Sequence, residues 1–396
     1  MGETIPFSLL QKEQDCYVNR NGRTKLSPNS LVRAALSFLL TLTLALPIAP
    51  PRSVHADEEP SFQAVQILSS DFFTVALRAD GTVWAWGSNH MYQLGSAGAG
   101  TRVPVQVPIG VPVEQIAIGD HFGLALDEEQ NVWVWGSFSS GSSYQYMAPQ
   151  KLDLWENIVA IAAGGGAAYA LTEDGRVYSW GSNAGGRLGR GSSLPVGQEM
   201  APDFVKSDAD TVLEGITRIA ASGNSAFAVD VDGHVYAWGD NSSGALGNPA
   251  VPGESVYAVL IPGLSQVKTV YAGSLSSANS VFATTVTGTV YGWGENKMGQ
   301  LGLGHMTDVS SPVRIELMEG LPTEVVQIST SVRHTLILLK DGEDYVVAGS
   351  GRNSGQLGRP GVTNEPYAQH FQQIPQFGGA TYISAGPDRS FARIGD

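Results

Sequence analysis

Asp120 stands beside His121, a carboxylate next to an imidazole, the pairing that general acid–base chemistry uses. The same two residues also read as part of an exposed loop between strands, and that reading is preferred. The seven histidines fall at 55, 90, 121, 234, 305, 334 and 370, with no His-x-His or His-x-x-x-His pair, and Cys16 is the only cysteine. A zinc site would need ligands gathered from distant positions by folding. Asp203, Asp208 and Asp210 lack the spacing of a calcium loop and read as a solvated acidic segment. No P-loop, Gly-x-Gly-x-x-Gly turn or Gly-x-Ser-x-Gly elbow occurs. The expectation is a non-enzyme without metal or cofactor. A carboxylate pair facing across a central channel is the catalytic arrangement these residues leave open.

The elements that would position any site are written in a repeat. Asp80-Gly81-Thr82-Val83-Trp84-Ala85-Trp86-Gly87-Ser88-Asn89, closing at Gln93-Leu94-Gly95, returns from Asp174 to Gly189, from Asp232 to Gly247 and from Gly288 to Gly302. Weaker copies surround Trp135-Gly136 and Gly349, the latter with Ala348 in place of Trp. Leu77, Leu126, Leu171, Val229 and Thr284 each precede the next key glycine by ten residues. Alternating large and small residues on either side of an Asp-Gly turn predict a hairpin. Flanking apolar runs, some opening with Pro, supply the inner and outer strands. Each unit is thus an antiparallel sheet of four strands, named A to D in chain order, and such sheets pack face to face around an axis.

The bulk properties agree with this. The 396 residues include 48 Gly, and only 15% are charged. Formal net charge is −14. Residues 1–56 are themselves net basic, so the remainder is more acidic still, which argues against nucleic-acid binding. Arg20, Arg23, Lys25 and Arg33 precede an apolar run, Ala34 to Ala49, and then Ser53-Val54-His55-Ala56. This predicts a secretory signal peptide over 1–56, cleaved after Ala56, with residues 57–396 as one secreted domain not inserted in a membrane.

The Asp-Gly, Val-Tyr/Trp-x-Trp-Gly and x-Asn-x-x-Gly-x-Leu-Gly elements resemble the regulator-of-chromosome-condensation repeat family over residues 62–396. That resemblance implies an all-β propeller, with seven blades usual. Six units carry both phrases, and a further one starts at Tyr382 and stops at Asp396. The expectation is seven blades with an incomplete last blade; the alternative is six blades plus a closing hairpin. The family also implies several functions for comparison: protein recognition, inhibition of an extracellular enzyme as in β-lactamase-inhibiting propellers, and guanine-nucleotide exchange. An extracellular carbohydrate-active enzyme and a structural role in a larger envelope protein are further readings. Protein binding by a monomer, with the partner unidentified, is preferred.

Antiparallel order puts the A–B and C–D loops on one face. Shared Gly, Ala, Leu and Trp residues are expected to be scaffold, and variable loop residues to make contacts. The binding candidates are Phe72, Met91, Tyr92, His121, Phe138, Tyr144, Tyr146, Lys297, Met298 and Arg333. Tyr92 is singled out because later copies carry Gly there. Trp155 is the tryptophan that lies off the repeat.

Overall fold

The computed structural model describes residues 63–139, 145–195, 198–273, 279–358 and 366–395. The expected leader and Tyr144 lie outside the described residues. The first blade is built from strands Ala64–Ser69, Phe73–Arg78, Val83–Gly87 and Thr101–Gln106, hydrogen-bonded in chain order. Blade 2 runs from Val113–Ile118 to Gln145–Lys151, blade 3 from Ile158–Gly164 to Glu199–Phe204, and blade 4 from Ile216–Ala221 to Glu254–Leu260. Blade 5 runs from Val267–Ala272 to Val309–Arg314 and blade 6 from Glu324–Thr330 to Tyr367–Gln373. Ala380–Ala385 and Ser390–Ile394 then form a two-stranded sheet. The architecture is six four-stranded blades plus a closing hairpin, the alternative to the seven-bladed ring that was expected, because the last unit supplies two strands and no further strand pairs with them among the described residues. The A strands of all six blades and of the hairpin line one central channel of about 510 Å3.

Seven A strands carry a bulge at the same step, just before Gln66, Gln115, Ala160, Arg218, Thr269, Gln327 and Tyr382. A bulge bends and twists a strand locally. Where the next residue is Gln, its amide copies a ladder pair onto the neighbouring A strand. Gln66 donates to the Ile116 carbonyl and accepts from the Ile116 N–H, both at 3.2 Å. Gln115 does the same to Ile161 and Gln327 to Ile383. Tyr382 closes the circle with its hydroxyl on the Ile67 backbone.

Blade-to-blade packing rests on the Trp before each key glycine. Trp135 packs with Phe73 and Leu94 of the blade before it, Trp238 with Tyr169 and Leu188, and Trp293 with Phe227 and Leu246. The Trp135 and Trp293 indoles also donate to the Gln93 and Ala245 carbonyls, each at 2.8 Å. Trp86, which follows the two-stranded hairpin around the ring, stays half-buried.

One register assignment needs correcting. The sixth key glycine is Gly351, not Gly349. Gly351 opposes His334 as Gly87 opposes Phe73. Its φ is +101°, and a Cβ there would lie 2.4 Å from the Arg333 carbonyl oxygen, as a Cβ on Gly87 would lie 2.5 Å from that of Phe72. Ser350 therefore holds the Trp place, and its hydroxyl donates to the Gln300 carbonyl at 2.9 Å. The B–C hairpin of this blade is lengthened by paired residues out to Asp341 and Asp344. A two-residue slip leaves every side chain on its original face, so alternation alone could not separate the two registers.

Candidate functional site

The A–B and C–D loops share one face, because the C–D loop starts against the A–B loop of its own blade: Ser88 N–H donates to the Phe72 carbonyl at 2.8 Å. On this face the structure brings together residues of four units. Phe72, 46% exposed, packs against His121 of the next blade with ring centroids 4.3 Å apart and planes inclined at 42°. Gln93, from the C–D loop, reaches the His121 ring with Nε2 and Nδ1 3.4 Å apart, while its Oε1 accepts from Met91 N–H at 2.9 Å. Burial lowers the His121 pKa, with Asp120 opposing, so the ring is held towards its neutral form.

On the other side of Phe72, Arg333 of blade 6 pairs with Asp388 of the hairpin. Hydrogen bonding to Arg333 holds the Asp388 carboxyl below its usual range. Asp71 feels both groups: burial raises its pKa, Arg333 lowers it, and Asp120 and Asp388 raise it again. The arrangement is an aromatic step beside a mixed ionic rim. It can seat an apolar side chain and fix its surroundings by charge. Gln93, Gln300 and Gln356, absent from the binding candidates, each extend to the A–B loop of the next unit. The usable signal was a variable residue just before the Leu-Gly that closes five of the six repeats.

Other predicted residues are dispersed. Met91 and Tyr92 sit half-buried on the C–D loop of blade 1. Tyr92 has φ +62° where Gly186, Gly244, Gly299 and Gly355 have φ between +67° and +108°. Lys297 lies on the blade 5 loop between Glu295 and Asp308, at 3.7 and 3.5 Å, with Met298 next to it. Tyr146 packs half-buried on the blade 2–3 core. Phe138 is a correction: it is 4% exposed, against Phe122 at 4.5 Å and in one cluster with Trp180. Blade 2 has lost the Leu-Gly close, and Phe138 fills the place that Leu94 or Leu188 takes elsewhere.

Among the described residues, one group could gather metal-ligating atoms: Asp230, Asp232 and His234, within 4.8 Å. Asp230 Oδ1 accepts from the Asp232 and His234 N–H groups, and Oδ2 faces His234 Nδ1 at 3.1 Å. Asp127 closes the blade 2 hairpin through the same backbone pattern. The trio is thus explained as a turn.

The profile of the regulator of chromosome condensation (RCC1) repeat matches residues 80–126, 174–229, 232–278 and 287–338, and a second RCC1 repeat profile matches 64–93, 113–142, 158–187 and 216–245. The chain belongs to the RCC1 repeat family. This RCC1-repeat propeller is 30% identical over 309 residues to the Arabidopsis thaliana ultraviolet-B receptor UVR8, covering 75% of this chain and 67% of that protein. It is 35% identical over 156 residues to the probable E3 ubiquitin-protein ligase HERC3 of Homo sapiens, covering 38% of this chain but 14% of the ligase. Human WBSCR16 superposes with a TM-score of 0.71 at 22% identity, over 85% of this chain and 89% of that one. Prp20p of Saccharomyces cerevisiae gives 0.67 at 19% identity, over 83% and 81%. The two solved structures establish the fold of this RCC1-repeat chain and nothing more.

Proposed function

We propose that the protein is a recognition propeller that binds a protein partner through its A–B/C–D face, outside the cytoplasm and as a monomer after removal of residues 1–56. The exposed Phe72 ring packed against His121 beside the Arg333–Asp388 pair carries this reading. An anchor aromatic with a charged rim is the usual composition of a binding hot spot. A ring of blades holds such groups rigidly, so little entropy is lost on binding. Prp20p, which binds Gsp1p and histones, supports protein recognition as a use of this fold and points to no particular partner.

The test is affinity capture from culture medium with residues 57–396, alongside F72A/R333E. A saturable partner held at least tenfold more weakly by the double variant is expected. Equal retention by both proteins, or no saturable partner, would overturn the reading.

A further inference from the structure

We infer that the opposite face, formed by the B–C turns and D–A connections, carries a saccharide-binding subsite built around Trp155. This residue is 94% exposed, far more than any other tryptophan among the described residues. Its connection is nevertheless well anchored. Leu152 and Leu154 on either side of Asp153 pack against the blade 2–3 core. Leu152 N–H donates to the Val132 carbonyl at 2.8 Å, and Glu173 N–H to the Asn157 carbonyl at 2.9 Å. The indole therefore projects from a fixed ridge.

Two grooves flank that ridge and share Trp155, Glu156 and Asn157. One, of about 500 Å3, adds Gln130, Asn131 and Asp153. The other, of about 350 Å3, adds Glu173, Asp174 and Arg176. Arg176 is oriented by Glu156 Oε1, by Asp174 Oδ2 at 2.7 Å, and by the Phe204 ring 4.5 Å below its guanidinium. Asn157 Nδ2 donates to Glu173 Oε2 at 3.1 Å. The second Glu156 oxygen, Oε2, is buried and has no partner among the described residues. Glu156 thus lines both grooves mainly by holding the Arg176 guanidinium in place through Oε1.

The chemistry selects the ligand class. Across the two grooves Glu129, Asp153, Glu156, Glu173 and Asp174 outweigh Lys151 and Arg176, so phosphate and sulfate groups are disfavoured. A quaternary ammonium would want a cage of several aromatic rings, and there is one ring here. A protein anchor would seat on one continuous patch, whereas here two separate grooves open on either side of a single ring. What remains is a neutral, hydroxyl-rich ring with one apolar face. Such a ring stacks on the indole through its C–H face and meets with its oxygens the amide of Asn157 and the Arg176 guanidinium that Glu156 holds in place. Both grooves open from the same ridge, so a linear oligosaccharide can run from one into the other.

The purified protein would be titrated with cellohexaose, laminarihexaose and N-acetylchitohexaose, by calorimetry and by acrylamide quenching of tryptophan fluorescence. At least one probe is expected to bind saturably and to protect the quenchable indole. W155A should weaken it at least tenfold, E156Q should weaken it several-fold, and F72A on the other face should leave it unchanged. W155A alters a side chain in solvent, so an unchanged melting temperature separates lost binding from lost folding. No saturable binding of any probe, binding undiminished in W155A, or protection of Trp155 by a captured protein and by none of the sugars would each overturn the inference.

Discussion

At the scale of single residues, the departures from the repeat are the informative ones. Tyr92 occupies a left-handed conformation at a step where four other copies use Gly. A side chain there costs about 1 kcal/mol or more. Its loop lies on the face that carries Phe72, so Y92G is expected to raise stability by about 1 kcal/mol in urea denaturation while weakening partner binding. A destabilised Y92G would show that the tyrosine is there for packing. His334 is a second departure, standing fully buried where blades 1 and 2 have Phe73 and Phe122. Its ring nitrogens face the Ser331 and Ser390 hydroxyls at 3.2 and 2.9 Å. Burial lowers its pKa from 6.5 to about 4, with Asp388 opposing. The unfolded chain therefore takes up this proton before the folded one does. The stability tied to the neutral ring is complete above pH 6.5 and is lost as pH falls towards 4, on the order of 3 kcal/mol. H334F should flatten that part of the stability–pH curve, measured against wild type between pH 7 and pH 4. Identical slopes would remove His334 from the account.

At the scale of elements, hairpins and face assignment were legible because Asp-Gly turns and period-two alternation are local signals. What was not legible depends on a neighbouring blade. Ser350 can be recognised as the stand-in for Trp only once the Gln300 carbonyl is seen in front of it. Phe138 looked like a surface aromatic because the loop that normally buries a Leu was missing from the sequence around it. The role of Gln66, Gln115 and Gln327 has no local signal, since nothing in their own strand shows that the next A strand presents an N–H and a C=O to them. That last feature makes a two-way prediction. Q115A removes two hydrogen bonds to Ile161 and should cost about 1–3 kcal/mol. Ala160 holds the same step after the blade 3 bulge. A160Q should reach the Ile219 backbone of blade 4 and stabilise by about 1 kcal/mol. Thermal melts of the two variants decide it: a neutral A160Q together with a neutral Q115A would make the amide pairs incidental.

At the scale of the whole molecule, the ring is covalently continuous everywhere except between the closing hairpin and blade 1. There the joint is non-covalent and spans 315 residues of sequence, with the Tyr382 hydroxyl accepting from Ile67 N–H at 3.3 Å and donating to its carbonyl at 3.1 Å. Bringing such distant segments together carries the largest loop-closure entropy in the fold. The hairpin also offers its neighbour two strands rather than four, which is why Trp86 keeps partial exposure while Trp135, Trp180, Trp238 and Trp293 have almost none. Local opening should therefore begin at this seam, since stability in a repeat array is a sum of unit and neighbour terms. Y382F deletes both closing hydrogen bonds without creating a large cavity, and should cost about 1–3 kcal/mol. Hydrogen exchange should locate the effect, with protection falling in Ala64–Ser69, Ala380–Ala385 and Ser390–Ile394 and unchanged in blades 3 to 5. Q115A, at an internal joint, is the comparison. If Y382F instead lowers protection evenly around the ring, opening is a property of the whole disc, and the face that bears Phe72, His121 and Arg333 cannot be loosened at one side without being lost altogether.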